Sequence, residues 1–189
     1  MSNSSPKNLT QWIIFLAAAG IVLTSPYGGK VVTGALREYL HKRAQAKEWE
    51  KTLNARNVSR ALYKLKKRKQ VKIKVKGKRT IINLTERGRK RKLEYEYENI
   101  KIPEPKTWDK RWRLLMFDIP NEARLTRDNF RLKLRSIGFI PFQKSVWIYP
   151  YPCEDEIDFI TEYLKIGKYL TLLTVQIKDD APLREKFGL

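Results

Sequence analysis

Arg56, Arg60, Lys64 and Arg68 recur four residues apart in a segment of helix-forming composition. Like charges at that spacing repel by a few tenths of a kcal/mol per pair, about 0.2–0.5, so the stripe does not serve the helix's own stability. The chemistry it could do is to neutralise phosphate: an external polyanion offsets the repulsion and releases counterions on binding. The other residue types that carry chemistry are sparser. Glu154, Asp155, Glu156 and Asp158 look like paired carboxylates but open a predicted helix, where acids stabilise the macrodipole. His41, the one histidine, stands beside Lys42 and Arg43 with no nucleophile identifiable for it to activate, and Cys153 is the single cysteine. That count excludes an intramolecular disulfide and a His/Cys zinc cluster, and it fits a reducing cytoplasm. No glycine loop able to cradle phosphates is present. Trp147, Tyr149 and Tyr151 could stack on bases, but the sheet core is the commoner fate of such residues.

The charge is divided unevenly. Met1–Pro105 holds 25 Lys/Arg against 8 Asp/Glu, net +17, whereas Lys106–Leu189 holds 15 against 12, net +3. Double-stranded DNA is therefore the first partner to expect, with an anionic membrane surface second. The membrane alternative rests on Trp12–Leu23 (WIIFLAAAGIVL), which predicts a buried core or dimer-interface helix: its twelve residues fall short of the roughly 20 needed to span a bilayer.

The elements that must position the basic residues can be read from periodicity. Residues 30–49 predict a helix with Val31, Ala35, Leu36 and Tyr39 on one face. Asn54 can cap the next, in which Val58, Ala61, Leu62 and Leu65 recur at i, i+3, i+4 and i+7 and leave Arg56, Arg60, Lys64, Lys67 and Arg68 outward. Base readout falls to Arg56, Asn57, Ser59 or Arg60 near its start. Val71–Lys76 alternates apolar and basic residues, and with Gly77-Lys78-Arg79 and Thr80–Leu84 it predicts a hairpin with Lys72, Lys74 and Lys76 on its solvent face and Lys78 and Arg79 at its tip. Thr85 then caps a helix running through Leu93. This order resembles the winged helix-turn-helix domains of bacterial transcription regulators, in which a recognition helix enters the major groove and a wing reaches backbone or minor groove.

Ile102-Pro103-Glu104-Pro105 cannot continue a helix, so residues 1–98 are assigned to a DNA-binding domain, 99–107 to a linker and 108–189 to a second domain. There Trp112–Ile119 predicts a strand, Glu122–Ile137 a helix with Leu125, Phe130, Leu134 and Ile137 inward, Phe139–Tyr149 one or two strands, Glu154–Ile166 a helix and Tyr169–Ile177 a last strand. The expected fold class is α+β: a winged helix followed by a ferredoxin-like βαββαβ domain.

Phe117-Asp118-Ile119-Pro120, the basic helix ending at Gly138-Phe139, and Gln143-Lys144-Ser145-Val146-Trp147 resemble CRISPR-associated protein two, a ferredoxin-like dimer. The same module is similar to the middle domain of PaaX-like repressors, named for phenylacetate catabolism, where it follows a winged helix as here. The resemblance covers residues 30–189. It implies a homodimeric DNA-binding transcription regulator, a repressor, that requires no cofactor. Full-length relatives have a further C-terminal domain, which is not expected before Leu189, and no small-molecule ligand is identifiable.

By position, the same resemblance makes Asp118 the counterpart of an aspartate assigned as a Mg²⁺ ligand for phosphodiester cleavage. The alternative reading is accordingly a metal-dependent endonuclease with Asp118 catalytic, or a non-catalytic nucleic-acid scaffold. Read from its neighbours alone, Asp118 caps the turn into the following helix or pairs with Arg124 or Arg127.

Overall fold

A computed structural model describes residues 8–18, 22–23, 54–76 and 79–189. The helix expected over 30–49, with His41, lies outside them, as does Lys78. The chain divides into two compact units, Ser5–Glu96 and Tyr97–Leu189.

In the amino-terminal unit, α1 (Leu9–Ala18) buries Leu9, Trp12, Ile13, Ile14, Leu16 and Ala17. They meet Val58, Ala61, Leu62 and Leu65 of α2 (Ala55–Lys67), together with Val71, Ile82 and Tyr95. The apolar stretch is therefore core, but it is not one helix. Val22–Leu23 forms a short strand, β1, on the edge of β3 (Arg79–Leu84), with Val22 opposite Ile81 and Leu23 opposite Thr80. A β-branched residue beside an open edge gains ladder hydrogen bonds there, a pairing distant in sequence that helical periodicity cannot reveal. β2 (Val71–Lys76) pairs with β3 from Val71↔Leu84 to Lys76↔Arg79, so the sheet order is β1-β3-β2 and Arg79 belongs to a strand rather than to the tip.

α3 spans Glu86–Asn99 and outruns the expected end at Leu93, because Arg91 pairs with Glu94 at 2.6 Å, Lys92 pairs with Glu96, and Tyr95 is buried.

The carboxy-terminal unit has the order β4 (Trp112–Phe117), α4 (Arg124–Ser136), β5 (Ile140–Gln143), β6 (Val146–Tyr149), α5 (Glu154–Leu164), β7 (Leu170–Val175) and α6 (Ala181–Phe187). Its antiparallel sheet runs β5-β6-β4-β7, the strand order of a ferredoxin-like βαββαβ sandwich. Leu115, Phe117, Trp147 and Tyr149 pack with Phe130 and Leu134 of α4 and Ile157 and Ile160 of α5. Leu125, expected inward, is exposed: five residues before Phe130 it points about 140° away from that residue at roughly 100° per residue. α6 was not foreseen; it opens at Asp180, whose carboxylate accepts from Trp112 Nε1 at 3.0 Å. The segment expected as a linker contributes Ile100 and Ile102 to this unit's core.

The other face of the sheet carries a row that crosses all four strands, Ile140, Ile148, Leu114 and Leu173, of which Leu173 is 40% exposed.

Candidate nucleic-acid interface

Asn54 accepts the Asn57 backbone N–H at 2.8 Å, holding the first turn of α2. At the other end Arg68 N–H donates to Lys64 O at 3.0 Å, Lys69 adopts a left-handed φ of 54°, and Gln70 N–H returns to Leu65 O at 2.9 Å. This closure satisfies the last carbonyls and turns the chain into β2. Thr85 ties the turn to α3: its hydroxyl donates to Lys69 O at 2.6 Å and accepts from Gly88 N–H at 3.1 Å. α2 is thus clamped at both ends with its apolar stripe down.

Arg56, Ser59, Arg60, Lys64, Lys67 and Arg68 are exposed, and Asn57 is half-buried beside its cap. They do not form a single line. With about 100° per residue, Arg56, Arg60 and Lys67 lie within about 30° of the direction opposite the buried stripe, whereas Lys64 and Arg68 turn about 70–110° to one flank and Lys66 about 90° to the other. A row at i, i+4 winds around the helix, which is why the stripe Arg56–Arg60–Lys64–Arg68 is not the outermost one. Sequence reading missed Tyr63, which shares the outermost line with Arg60 and Lys67 and is 66% exposed. Its signal was there: one turn from Arg60 and four residues from Lys67, it cannot also face Val58 and Leu65.

On the hairpin, Val71, Ile73, Ile82 and Leu84 face the core while Lys72 and Lys74 are exposed opposite Asn83 and Ile81. The side chains of Lys76 and Arg79 lie outside what is described.

In the carboxy-terminal unit Asp118 is exposed just past β4, its backbone N–H donating to Tyr169 O at 3.0 Å. It takes neither expected structural role. Pro120, not Asp118, stands at the start of the following turn and no side chain caps it, while Arg127 donates to Asn121 Oδ1 at 3.0 Å and Arg124 pairs with Asp128 at 3.7 Å. Both arginines therefore have nearer partners, and the Asp118 carboxylate is left to solvent. Among the described residues no group of three or more His, Cys, Asp or Glu could hold a metal ion. Mg²⁺ is commonly held by one or two carboxylates together with waters and substrate phosphates, so Asp118 alone is the least that one chain could contribute to such a site.

Glu154, Asp155 and Glu156 occupy the first turn of α5, as a helix start requires. Glu154 accepts from Cys153 N–H at 2.9 Å. Burial pushes the Cys153 thiol up to about 12, so it stays protonated and unreactive at neutral pH. Trp147 and Tyr149 are core, not base-stacking platforms.

Residues 105–186 match the family model described as the PaaX protein central Cas2-like domain. The carboxy-terminal unit is a PaaX-type central domain. The match covers all four strands of the ferredoxin-like sheet and the segment that holds Asp118. No curated protein matches the chain. No helix among the described residues is long and apolar enough to cross a membrane.

Proposed function

We propose that the protein is a PaaX-type transcription regulator, a repressor that binds duplex DNA as a homodimer in the cytoplasm and needs no cofactor. Its amino-terminal unit is a winged helix-turn-helix, with α2 as the recognition helix and the β2–β3 hairpin as the wing. The observation that carries this reading is the outer face of α2, where Arg56, Arg60 and Lys67 stand clear of the core on a helix capped at both ends. The short β1 on the far edge of the hairpin and the lysines of β2 support it.

On the face of the carboxy-terminal unit's sheet that carries the row Ile140, Ile148, Leu114 and Leu173, Leu173 is 40% exposed and Ile140 and Leu114 are half-buried, which supports a second copy seated there. A two-fold dimer presents two recognition helices to a pseudo-palindromic site.

The test is DNase footprinting with sedimentation of the full chain: a bounded, two-fold-symmetric footprint and a dimer are expected, and protection indifferent to sequence would refute the reading. Arg60→Ala should weaken binding to the protected site about tenfold, the loss of one base-edge contact. Lys64→Ala, on the flank, should lower the slope of log K against log salt by about one, as one lost phosphate contact does. Anisotropy titrations across a salt series check both.

The solvent-facing Asp118 carboxylate favours one second reading, a Mg²⁺-dependent endonuclease in which the partner's carboxylate completes the site. Labelled duplex, single-stranded DNA and RNA incubated with Mg²⁺ are expected to remain intact. Cleavage that Asp118→Ala abolishes would put the nuclease first.

A further inference from the structure

We propose that Tyr63 reads sequence at the middle of α2, packing its ring against the 5-methyl group of a thymine in the major groove. The inference rests on α2 being the recognition helix and names what that helix reads. Four side chains occupy the line opposite the buried stripe Val58, Ala61, Leu62 and Leu65: Arg56, Arg60, Tyr63 and Lys67. Three are cations, suited to guanine O6/N7 or to phosphate; Tyr63 alone offers apolar surface, and it is 66% exposed. On the floor of the major groove the thymine methyl is the apolar feature, and contact with it is a recognised mode of readout.

Position decides between base and backbone for this ring. Phosphates flank a groove on both sides, and the flanks of α2 already carry cations, Lys64 and Arg68 on one side and Lys66 on the other. Tyr63 lies between those flanks, with Arg60 one turn before it and Lys67 one turn after, so it faces the bases when the flanking cations face the strands. An aromatic ring is also an economical reader, because its two torsions leave little conformational freedom to lose on binding.

The experiment selects duplexes from a random pool with the full chain and then replaces each thymine of the selected site, one at a time, by deoxyuridine, which removes only the methyl group. Wild type should lose about fourfold in affinity at one position per half-site, the worth of one buried methyl. Tyr63→Phe, which keeps the ring, should show the same sensitivity, and Tyr63→Ala should show none at that position while binding more weakly overall. An alanine variant as sensitive to deoxyuridine as wild type would overturn the assignment, as would selected half-sites with no thymine under the helix, and in either case the regulator reading would stand. If no duplex is selected at all, both fall. Circular dichroism of the two variants guards against misfolding.

Discussion

Gly88→Ala is expected to destabilise the amino-terminal unit by at least about 2 kcal/mol, lowering its melting temperature by roughly 10 °C, although the same exchange in an exposed helix interior gains about 1 kcal/mol. The sign reverses because a Cβ at position 88 would lie 2.0 Å from the carbonyl oxygen of Gln70 and 3.0 Å from its carbon. That carbonyl cannot swing aside freely: it accepts the Thr85 N–H at 3.1 Å, and the Gln70 N–H is bound to Leu65 O. Relieving the clash must push α3 away from the turn that closes α2, loosening the helix proposed to meet DNA. Thermal unfolding followed by circular dichroism checks it, and an unchanged or raised midpoint would mean that α3 does not press on that turn. DNA affinity should fall with stability, since the Thr85 link to Lys69 O is part of the same junction.

Asp109→Ala should cost the carboxy-terminal unit about 3 kcal/mol. Arg113 lies on β4, its side chain only 5% exposed, and Asp109 holds it through two parallel bonds, Nη1–Oδ1 at 2.9 Å and Nη2–Oδ2 at 2.7 Å. Removing the carboxylate strands a cation beneath the sheet's end with Pro150 O at 3.1 Å, Arg111 O at 3.1 Å and the more distant Glu154 at 3.9 Å. Those acceptors keep the loss at the lower end of what an orphaned buried charge costs. The hydrogen bond from Arg113 holds the Asp109 carboxyl below its ordinary value of 3.8. A carboxyl depressed on folding stabilises at every pH above its unfolded value and loses that contribution as pH falls through the folded one. Wild type should therefore lose stability below about pH 3.8, and Asp109→Asn should lose less over the same range. Urea unfolding at pH 7 and between pH 4 and 2 measures both; equal acid sensitivity in the two proteins would show that the pair contributes nothing.

Several elements followed from local pattern. α2 was legible because four apolar residues at helical spacing sit behind an asparagine cap, and both signals act within a few residues. The β2–β3 pairing is expected from the strict alternation of Val71–Lys76 and the strand-forming run Thr80–Leu84 that follows. The ferredoxin-like order emerged from runs whose types alternate strand and helix, and β4 reads as a nearly continuous apolar run because it is buried on both faces at Trp112 and Leu115.

What escaped was long-range. β1 exists because β3 has an open edge some sixty residues away, which no window over residues 12–23 contains. Sequence reading puts Leu125 on one helical face with Phe130, Leu134 and Ile137, yet only the latter three are core, and Leu125 lies on the far side of that helix. From its neighbours Asp118 could cap the following turn or pair with Arg124 or Arg127, but Arg127 donates to Asn121 and Arg124 pairs with Asp128.

The amphipathic periods and the concentration of positive charge before residue 105 can be read from the sequence alone, because they depend on residues close to one another along the chain. Contacts in the folded chain are what reveal that Gly88 must lack a side chain and that Arg113 is a buried charge held by Asp109. Each of these depends on which surface a neighbouring element covers, and that is settled by contacts between segments far apart in the chain.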